Sequence, residues 1–250
     1  MMNNTWLLII GLCAPFLATS LGAATVLFFK KINSKIEKIA LGISGGIMLS
    51  ASFLSLIFPS MELCEQQNKP AYIYVTVGLL AGLLFLFLTD VLLAKKAGKQ
   101  NKFMLVTAIT LHNFPEGMII GLSLGLAVFS PSIVSSASAL TLALGIAIQN
   151  IPEGSAVSMP LMAKGTSKKK AFWIGVLSGI VEPIGSVLAI LLVEFVSSIL
   201  PFLLCFSAGT MLFVTTKELI PESQQSDQPI GLISFFAGFL LMLVLDIALG

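Results

Sequence analysis

The sequence has no arginine, a single histidine and few charged residues, which make up 10% of its 250 positions. Soluble domains of this size carry about 25% charged residues, so this chain does not belong with them. All 14 basic residues are lysine, and twelve of them lie in three short clusters, which excludes a spread-out basic face for nucleic acid. The three cysteines are far apart and form no CxxC pair, which argues against a disulfide framework and a thiolate metal site.

Apolar residues are abundant instead: 56% of the chain is hydrophobic, and its mean hydropathy is +1.00. This composition predicts an all-α membrane protein. Apolar runs long enough to span a bilayer lie near residues 5–29, 39–60, 71–93, 103–129, 133–162, 171–193, 198–217 and 229–249. We therefore expect eight transmembrane helices, joined by short loops into a single polytopic transmembrane domain over residues 1–250. No basic segment precedes the first run, so it is expected to be a retained helix rather than a cleaved signal peptide.

The three lysine clusters predict how the chain lies in the membrane. They fall between helices 1 and 2, 3 and 4, and 5 and 6, which places all three on the same side. Because positively charged loops stay in the cytoplasm, both termini are expected to be extracytoplasmic, in a plasma or inner membrane whose lipid bilayer surrounds the chain. The clusters consist of Lys30, Lys31, Lys35, Lys38, Lys95, Lys96, Lys99, Lys102, Lys164, Lys168, Lys169 and Lys170.

Helices 1–3 and helices 6–8 share a pattern of small residues. The segment Ser44-Gly45-Gly46 in helix 2 matches Ser207-Ala208-Gly209 in helix 7. The matching helices are five positions apart in helix order, and because this number is odd, the two copies are inverted in the membrane. The pattern predicts an inverted repeat of helices 1–3 and 6–8 around helices 4–5, an arrangement typical of transporters. The aligned glycines are Gly22 with Gly185, Gly46 with Gly209, and Gly82 with Gly238.

Two related six-residue phrases interrupt the apolar runs of helices 4 and 5. Residues 112–117 read HNFPEG and residues 149–154 read QNIPEG. A carboxylate, an amide and a proline are costly at membrane depth, so a functional role is the default interpretation. Imidazole, carboxylate and amide oxygen are ligands for divalent metals, and two copies on consecutive helices predict one shared metal site.

The spacing inside each phrase brings its candidate ligands together. Each glutamate follows two other candidates by three and four residues, so all three lie on one helix face. A carboxylate flanked in this way suits a bridge between two ions. Pro115 and Pro152 leave the carbonyls of Leu111 and Ile148 without their helical donors, which adds two oxygen ligands. The candidate ligands of the phrases are His112, Asn113, Glu116, Gln149, Asn150 and Glu153.

Three glutamates occupy similar depths in three helices. Glu116, Glu153 and Glu182 each lie 11 to 14 residues from a flanking lysine, which is about 17–21 Å of helix. The predicted helix interiors contain no basic residue to pair with them. Three such carboxylates must be protonated or neutralised by an added cation. A divalent ion that exchanges with protons fits both conditions.

Several alternatives remain open at the level of sequence. Met48 lies at a similar depth in helix 2 and is either a core residue or a soft metal ligand. For Asp90 and Asp246, near helix ends, interfacial solvation is a sufficient explanation. An intramembrane metalloenzyme would use the same groups, although the chain lacks HExxH. A channel for protons or monovalent cations is the other alternative, and the His, Asn and Gln side chains favour a divalent ion over it.

The chain resembles the ZIP (Zrt- and Irt-like) family of divalent metal transporters over nearly its whole length. The resemblance rests on the two phrases, on Glu182-Pro183 in helix 6 and on Glu218-Leu219-Ile220-Pro221 after helix 7. It implies influx of Zn2+, with Fe2+, Mn2+, Co2+ and Cd2+ as further candidates, as transported substrate and without an organic cofactor. It also implies a homodimer, and movement of helices 1, 4, 5 and 6 against a scaffold of the others.

The resemblance further implies a binuclear centre. One site would use His112, Glu116, Gln149 and Glu153, with Met48 as an additional ligand. The adjacent site would use Asn113, Asn150 and Glu182, with Glu116 and Glu153 as bridges.

Two departures from the family pattern change what is expected of this chain. Many members have histidine where this chain has Gln149, a neutral and harder ligand that predicts a less zinc-selective site. The loop from Lys95 to Lys102 contains no histidine, so no metal-dependent regulation is assigned to it. This compact form resembles bacterial or archaeal members.

The acidic residues of the loops suggest a path for the ion. We expect the ion to enter past Glu62, Glu65 and Glu194, displace protons from Glu116 and Glu153, and leave past the acidic segment after helix 7. The acidic residues of that segment are Glu218, Glu222 and Asp227. Uptake is expected to fall at low pH, because protonated carboxylates and protonated His112 bind metal less well.

Overall fold

Helices account for most of the chain in this computed structural model, which describes residues 4–97, 104–193, 197–225 and 229–249. Within those residues there is no strand. We number the helices α1 Asn4–Ala24, α2 Ser34–Gln66, α3 Ala71–Ala97, α4 Met104–Phe129, α5 Ser136–Ala163, α6 Lys168–Leu191, α7 Leu200–Ser223 and α8 Ile230–Leu249.

Seven of the helices in the described part of the chain are long and apolar enough to cross a membrane. The eighth, α5, has 28 residues, which is about 42 Å and ample for a crossing. It is less apolar because it carries QNIPEG and several serines. The prediction of an all-α multi-pass membrane protein is therefore confirmed, with seven or eight spanning helices.

Two helices are longer than the hydrophobic runs predict. Helix 2 was expected over 39–60, but α2 begins at Ser34, where the side chain of Asn33 accepts a hydrogen bond from the Ile36 N–H. This cap compensates for the polar first turn. Helix 7 was expected to end at 217, but α7 continues to Ser223. Hydrophobicity marks the lipid-facing part of a helix, whereas backbone hydrogen bonding continues past it.

These extensions correct the position of four acidic residues. Glu62 and Glu65 were placed in the loop after helix 2, and Glu218 and Glu222 in the loop after helix 7. All four lie on the final turns of α2 and α7 instead. Asp227 and Glu194 lie outside the described residues.

A π-helical turn interrupts both extended helices, at Ser52–Ile57 in α2 and at Thr215–Leu219 in α7. Pro59 and Pro221 follow these turns closely. A proline cannot donate to the carbonyl four residues before it, so the helix adjusts with a wider turn instead of ending. The two turns lie at matching positions of helices that the sequence aligns as repeats.

The helices pack in pairs that form two groups. In the first group α1 packs mainly on α5, and α4 on α6. In the second group α2 packs mainly on α8, and α3 on α7. Contacts of α2 with α5 and of α4 with α7 join the two groups.

Glycines in the two phrases bring helices into close contact. A Cβ added at Gly154 would lie 2.0 Å from the Thr19 carbonyl oxygen, and one at Gly117 would lie 2.1 Å from the Glu182 carbonyl oxygen. Real Cβ atoms do not approach backbone so closely, and small residues are what permit such contacts between membrane helices. These two glycines therefore allow α5 to approach α1 closely and α4 to approach α6 closely.

The periphery of the bundle is apolar. On α3 and α8 large side chains such as Tyr72, Leu88, Leu240 and Val244 are exposed, as expected for surfaces that face lipid. The middle parts of α4 and α5, by contrast, are buried. The two phrases therefore lie in the interior of the bundle.

Candidate metal centre

The prolines beside the three glutamates have different effects on their helices. Both α4 and α5 remain helical through Pro115 and Pro152. By contrast, α6 has a break at Ile180, and Glu182 lies in the first turn after it. Pro183 cannot donate to the Gly179 carbonyl, which accounts for a break at this point.

The first cluster of candidate ligands joins α4 to α5. His112 Nε2 lies 3.4 Å from Glu153 Oε2 and 3.9 Å from Glu116 Oε1. One ligand atom from each of these residues lies within 4.8 Å of the other two. Zinc takes nitrogen and oxygen ligands at about 2.0–2.2 Å, so small side-chain rotations would bring all three atoms onto one ion. Gln149 Nε2 also donates to Glu116 Oε1, at 2.9 Å.

The second cluster joins α4, α6 and α1. Asn113 Nδ2 donates to Glu182 Oε1 at 3.1 Å, and the Thr19 hydroxyl donates to the same oxygen at 2.7 Å. The Asn150 side chain lies near Glu182 as well, without a hydrogen bond of normal geometry. These groups are oxygen-rich and include no imidazole, so they suit a hard divalent ion.

Thr19 is a residue that the sequence analysis missed. It lies on α1 and is fully buried. The repeat contains a signal for it, because Thr19 and Glu182 are separated by 163 positions, the offset that aligns Gly22 with Gly185. In the predicted repeat these two residues are equivalent positions, and their side chains are in direct contact.

Many polar side-chain atoms in these clusters have no hydrogen-bond partner among the described residues. All the phrase and glutamate candidates are buried, with at most 1% of any one exposed. A buried acceptor without a hydrogen bond costs about 1–3 kcal/mol. A shared divalent cation would satisfy these atoms together. Those without a hydrogen bond to any described residue are both ring nitrogens of His112, Asn113 Oδ1, Glu116 Oε2, Gln149 Oε1, Asn150 Oδ1, both carboxylate oxygens of Glu153, and Glu182 Oε2.

Met48 lies on α2, outside the helices that carry the other candidates. It is fully buried, and its sulfur accepts a hydrogen bond from the Ser44 hydroxyl at 3.8 Å. Because α2 packs against α5, Met48 is on the helix next to Gln149 and Glu153. Its role as a ligand stays a prediction.

A cavity of about 770 Å³ lies between the ends of α2 and α8 and the beginnings of α5 and α7. Its lining includes Glu62, Asp246 and, on α5, Gly145 and Ile148. Ile148 immediately precedes Gln149, so the cavity reaches the edge of the first cluster. The Ser55 hydroxyl donates to Asp246 at 2.7 Å, an intramolecular partner that the sequence analysis did not foresee.

Ion pairs hold the acidic residues at the opposite end of the bundle. Glu222 pairs with Lys164 at 3.1 Å, and Glu218 pairs with Lys217 at 3.6 Å. Lys217 also pairs with Asp90. Lys164 and Lys217 therefore pair with these acidic residues and not with Glu116, Glu153 or Glu182.

A multi-pass bundle that buries a group of His and Glu side chains able to hold a metal ion is the arrangement expected of a membrane transport protein for metal ions. A model of the family described as ZIP Zinc transporter matches residues 95–246. The chain belongs to this family, as its motifs predict, and the family's function is transport rather than catalysis.

Curated relatives match almost the whole chain. "Zinc transporter GufA" of Myxococcus xanthus is 36% identical, over 96% of this chain and 99% of that protein. "Zinc transporter ZIPB" of Bordetella bronchiseptica is 33% identical, over 97% of this chain and 81% of that protein. "Zinc transporter ZIP11" of Homo sapiens is 30% identical, over 93% of this chain and 94% of that protein.

Proposed function

We propose that this protein carries Zn2+ across the membrane into the cytoplasm. The carrying observation is the buried group of His112, Glu116 and Glu153, whose ligand atoms lie within 4.8 Å of one another. The relatives' names supply zinc as the first choice of metal. Fe2+, Mn2+, Co2+ and Cd2+ are further candidate substrates, because the ligand set mixes imidazole with hard oxygens.

We further propose that the site is binuclear. The first ion uses the His112 cluster with Gln149, and the second uses the Glu182 cluster. Glu116 and Glu153 bridge the two ions. Glu116 Oε2 and both oxygens of Glu153 have no hydrogen bond to a described residue, which supports this arrangement.

The difference between the two ends of the bundle supports transport into the cytoplasm. The cavity that includes Glu62 is at the beginning of α5, and the lysine cluster of Lys164, Lys168, Lys169 and Lys170 follows the end of α5. If the lysines are cytoplasmic, the cavity is extracytoplasmic and serves as the entrance, and both termini lie outside. Glu65 is exposed beyond the cavity lining, so Glu62 is the stronger candidate for the entrance.

An inverted repeat accounts for the way the helices pair. A Cβ at Gly46 would lie 2.0 Å from the Phe235 carbonyl oxygen, and one at Gly209 would lie 2.3 Å from the Leu79 carbonyl oxygen. In the repeat, helix 2 corresponds to helix 7 and helix 8 corresponds to helix 3. The contact between Gly46 and Phe235 therefore corresponds to the contact between Gly209 and Leu79. The matched contacts are Gly46–Phe235 with Gly209–Leu79, Gly82–Phe206 with Gly238–Ile43, Gly22–Ile151 with Gly185–Phe114, and Gly154–Thr19 with Gly117–Glu182.

The same contacts support an elevator-type movement. Backbone approaches through glycine make α1, α4, α5 and α6 one tightly packed group, and α2, α3, α7 and α8 another. The candidate ligands other than Met48 belong to the first group. We propose that this group slides against the second and carries the ions with it, in a single membrane domain. The homodimer expected from the family stays a prediction.

Zinc uptake into proteoliposomes tests the function. Purified protein should accumulate Zn2+ inside vesicles that hold a zinc-sensitive dye, and an excess of each other candidate metal should compete according to its affinity. Protein-free vesicles give the leak. Folded protein that moves none of the five metals would refute the proposal, and uptake of K+ or protons alone would favour the channel.

Uptake is expected to decrease when the external pH falls from 7.5 to 5.5. Metal ions bind deprotonated carboxylates and neutral imidazole, so protons compete with zinc for Glu116, Glu153 and His112. The measurement is the initial uptake rate at a fixed free zinc concentration, with the internal pH held constant. A rate that is the same at both values would contradict proton exchange at the site.

Replacing Gln149 by histidine is expected to increase the preference for Zn2+ over Mn2+. An imidazole nitrogen is a better zinc ligand than an amide oxygen, and a gain of about 1.4 kcal/mol corresponds to roughly tenfold in relative affinity. The readout is zinc uptake in competition with manganese. Gln224→His, at an exposed position just after the end of α7, is the control. An unchanged metal preference would argue against Gln149 as a ligand.

A further inference from the structure

The buried hydroxyl of Thr19 contacts a candidate metal ligand from a helix that carries no ligand itself. Thr19 Oγ1 donates to Glu182 Oε1 at 2.7 Å, and Thr19 is fully buried. The Pro15 carbonyl, one turn earlier on α1, is a second acceptor at 3.2 Å. The hydroxyl has only one proton, and a carboxylate is the stronger acceptor of the two.

The hydrogen bonds of Glu182 divide its two oxygens. Oε1 accepts from both Thr19 and Asn113, whereas Oε2 has no hydrogen bond to a described residue. Two donors on one oxygen fix the orientation of the carboxylate. The other oxygen remains available to a metal ion.

Glycines on two neighbouring helices hold Thr19 in place. A Cβ at Gly154 would lie 2.0 Å from the Thr19 carbonyl oxygen, and one at Gly179 would lie 2.9 Å from Thr19 Cγ2. The Gly179 Cβ would also lie 3.2 Å from Glu182 Oε1. Both the threonine and the carboxylate oxygen therefore occupy space that these glycines leave open. Threonine has few χ1 rotamers in a helix, and the one observed directs its hydroxyl to Glu182 Oε1.

We propose that Thr19 is a positioning residue that sets the affinity of the ion bound at Glu182. It acts through Glu182, by holding Oε1 so that Oε2 presents itself to the second ion of the binuclear site. Outer partners of metal ligands characteristically orient them in this way. The inference rests on the proposed function, because it takes Glu182 to be a ligand.

Zinc titration of the purified protein tests this role directly. The wild type should bind two zinc ions, and Thr19→Val should bind the ion at Glu182 about 10–100-fold less tightly, the usual effect of losing an outer partner. The ion at the His112 cluster should keep its affinity. Thr19→Ser restores the hydroxyl and should restore the second ion. Thr210→Val is the matched control, because Thr210 is buried on α7 and its hydroxyl donates to the Ser207 carbonyl.

A double-mutant cycle separates positioning from a general packing effect. In a Glu182→Ala background, Thr19→Val should cause no further loss of zinc affinity, because the acceptor of its hydrogen bond is already absent. A further loss of zinc affinity in that background would overturn the proposal. The proposal would also be overturned if Thr19→Val alone bound zinc like the wild type, or if Thr19→Ser did not restore binding. Thermal unfolding checks that each variant is folded. If the wild type binds no zinc, the proposed function itself fails. If the wild type binds two zinc ions and Thr19→Val binds them with the same affinities, only the inference about Thr19 fails.

Discussion

Replacing Glu116 by glutamine is expected to abolish zinc uptake while leaving the protein folded. The substitution keeps the volume of the side chain and removes its charge. Glu116 lies next to His112 and Gln149 and is fully buried, and in the proposed site it bridges both ions. Losing a mere outer partner of a metal ligand costs about 10–100-fold, so the loss of a bridging ligand should lower the uptake rate by at least about a hundredfold.

The measurement is zinc accumulation in proteoliposomes, with equal amounts of protein per vesicle. Glu37→Gln is the control, because Glu37 lies in the first turn of α2, near Lys164 and Glu222 at the lysine end of the bundle, and belongs to neither cluster of candidate ligands. It should transport at the wild-type rate. Wild-type uptake by Glu116→Gln would place the pathway somewhere other than the phrases on α4 and α5. Size-exclusion profiles of both variants should match the wild type, since a neutral side chain removes charge from the buried cluster.

Gly154→Ala is expected to lower the stability of the whole bundle and to stop transport with it. The new methyl group would lie 2.0 Å from the Thr19 carbonyl oxygen and 2.7 Å from the Ala23 backbone nitrogen. Both atoms are backbone atoms, so α1 and α5 must move apart. Overpacking of this kind costs about 1–3 kcal/mol, which corresponds to a fall in melting temperature of roughly 2–12 °C for a chain of this size.

The control for this prediction lies on the same helix. A Cβ at Gly145 would have only the Ser55 hydroxyl as a neighbour, at 4.0 Å. Gly145→Ala should therefore have the same melting temperature as the wild type. Thermal unfolding in detergent compares the three proteins. Equal melting temperatures for Gly154→Ala and Gly145→Ala would mean that the close approach of α1 to α5 does not contribute to stability.

The membrane character of the chain and its principal metal-ligand candidates could be predicted from sequence. His112 and Glu116 are four residues apart on one helix, so helix geometry alone makes them neighbours. The absence of basic partners around the glutamates also needs no tertiary information. Both arguments concern local spacing or composition, which the fold leaves unchanged.

Helix ends and loop assignments were less predictable. Hydropathy ended helices 2 and 7 too early, because the chain stays helical beyond its lipid-facing part and passes Pro59 and Pro221 through π-helical turns. Glu62 was expected in a loop, but it lies on the last turns of α2 and lines the cavity. A proline or a charge close to a helix end has more than one structural solution, and packing selects among them.

The sequence by itself determined that this is a helical membrane protein with candidate metal ligands in a related phrase on each of two consecutive helices, because hydrophobicity and helical spacing act locally. Only the tertiary structure decided which helix supplies the remaining contacts. Thr19 contacts Glu182 across 163 positions because glycines let the helix backbones approach each other. The sequence pattern does not distinguish these glycines from the other small residues of the chain. Contacts between helices depend on how complementary surfaces fit, and that fit exists only once the whole bundle has assembled.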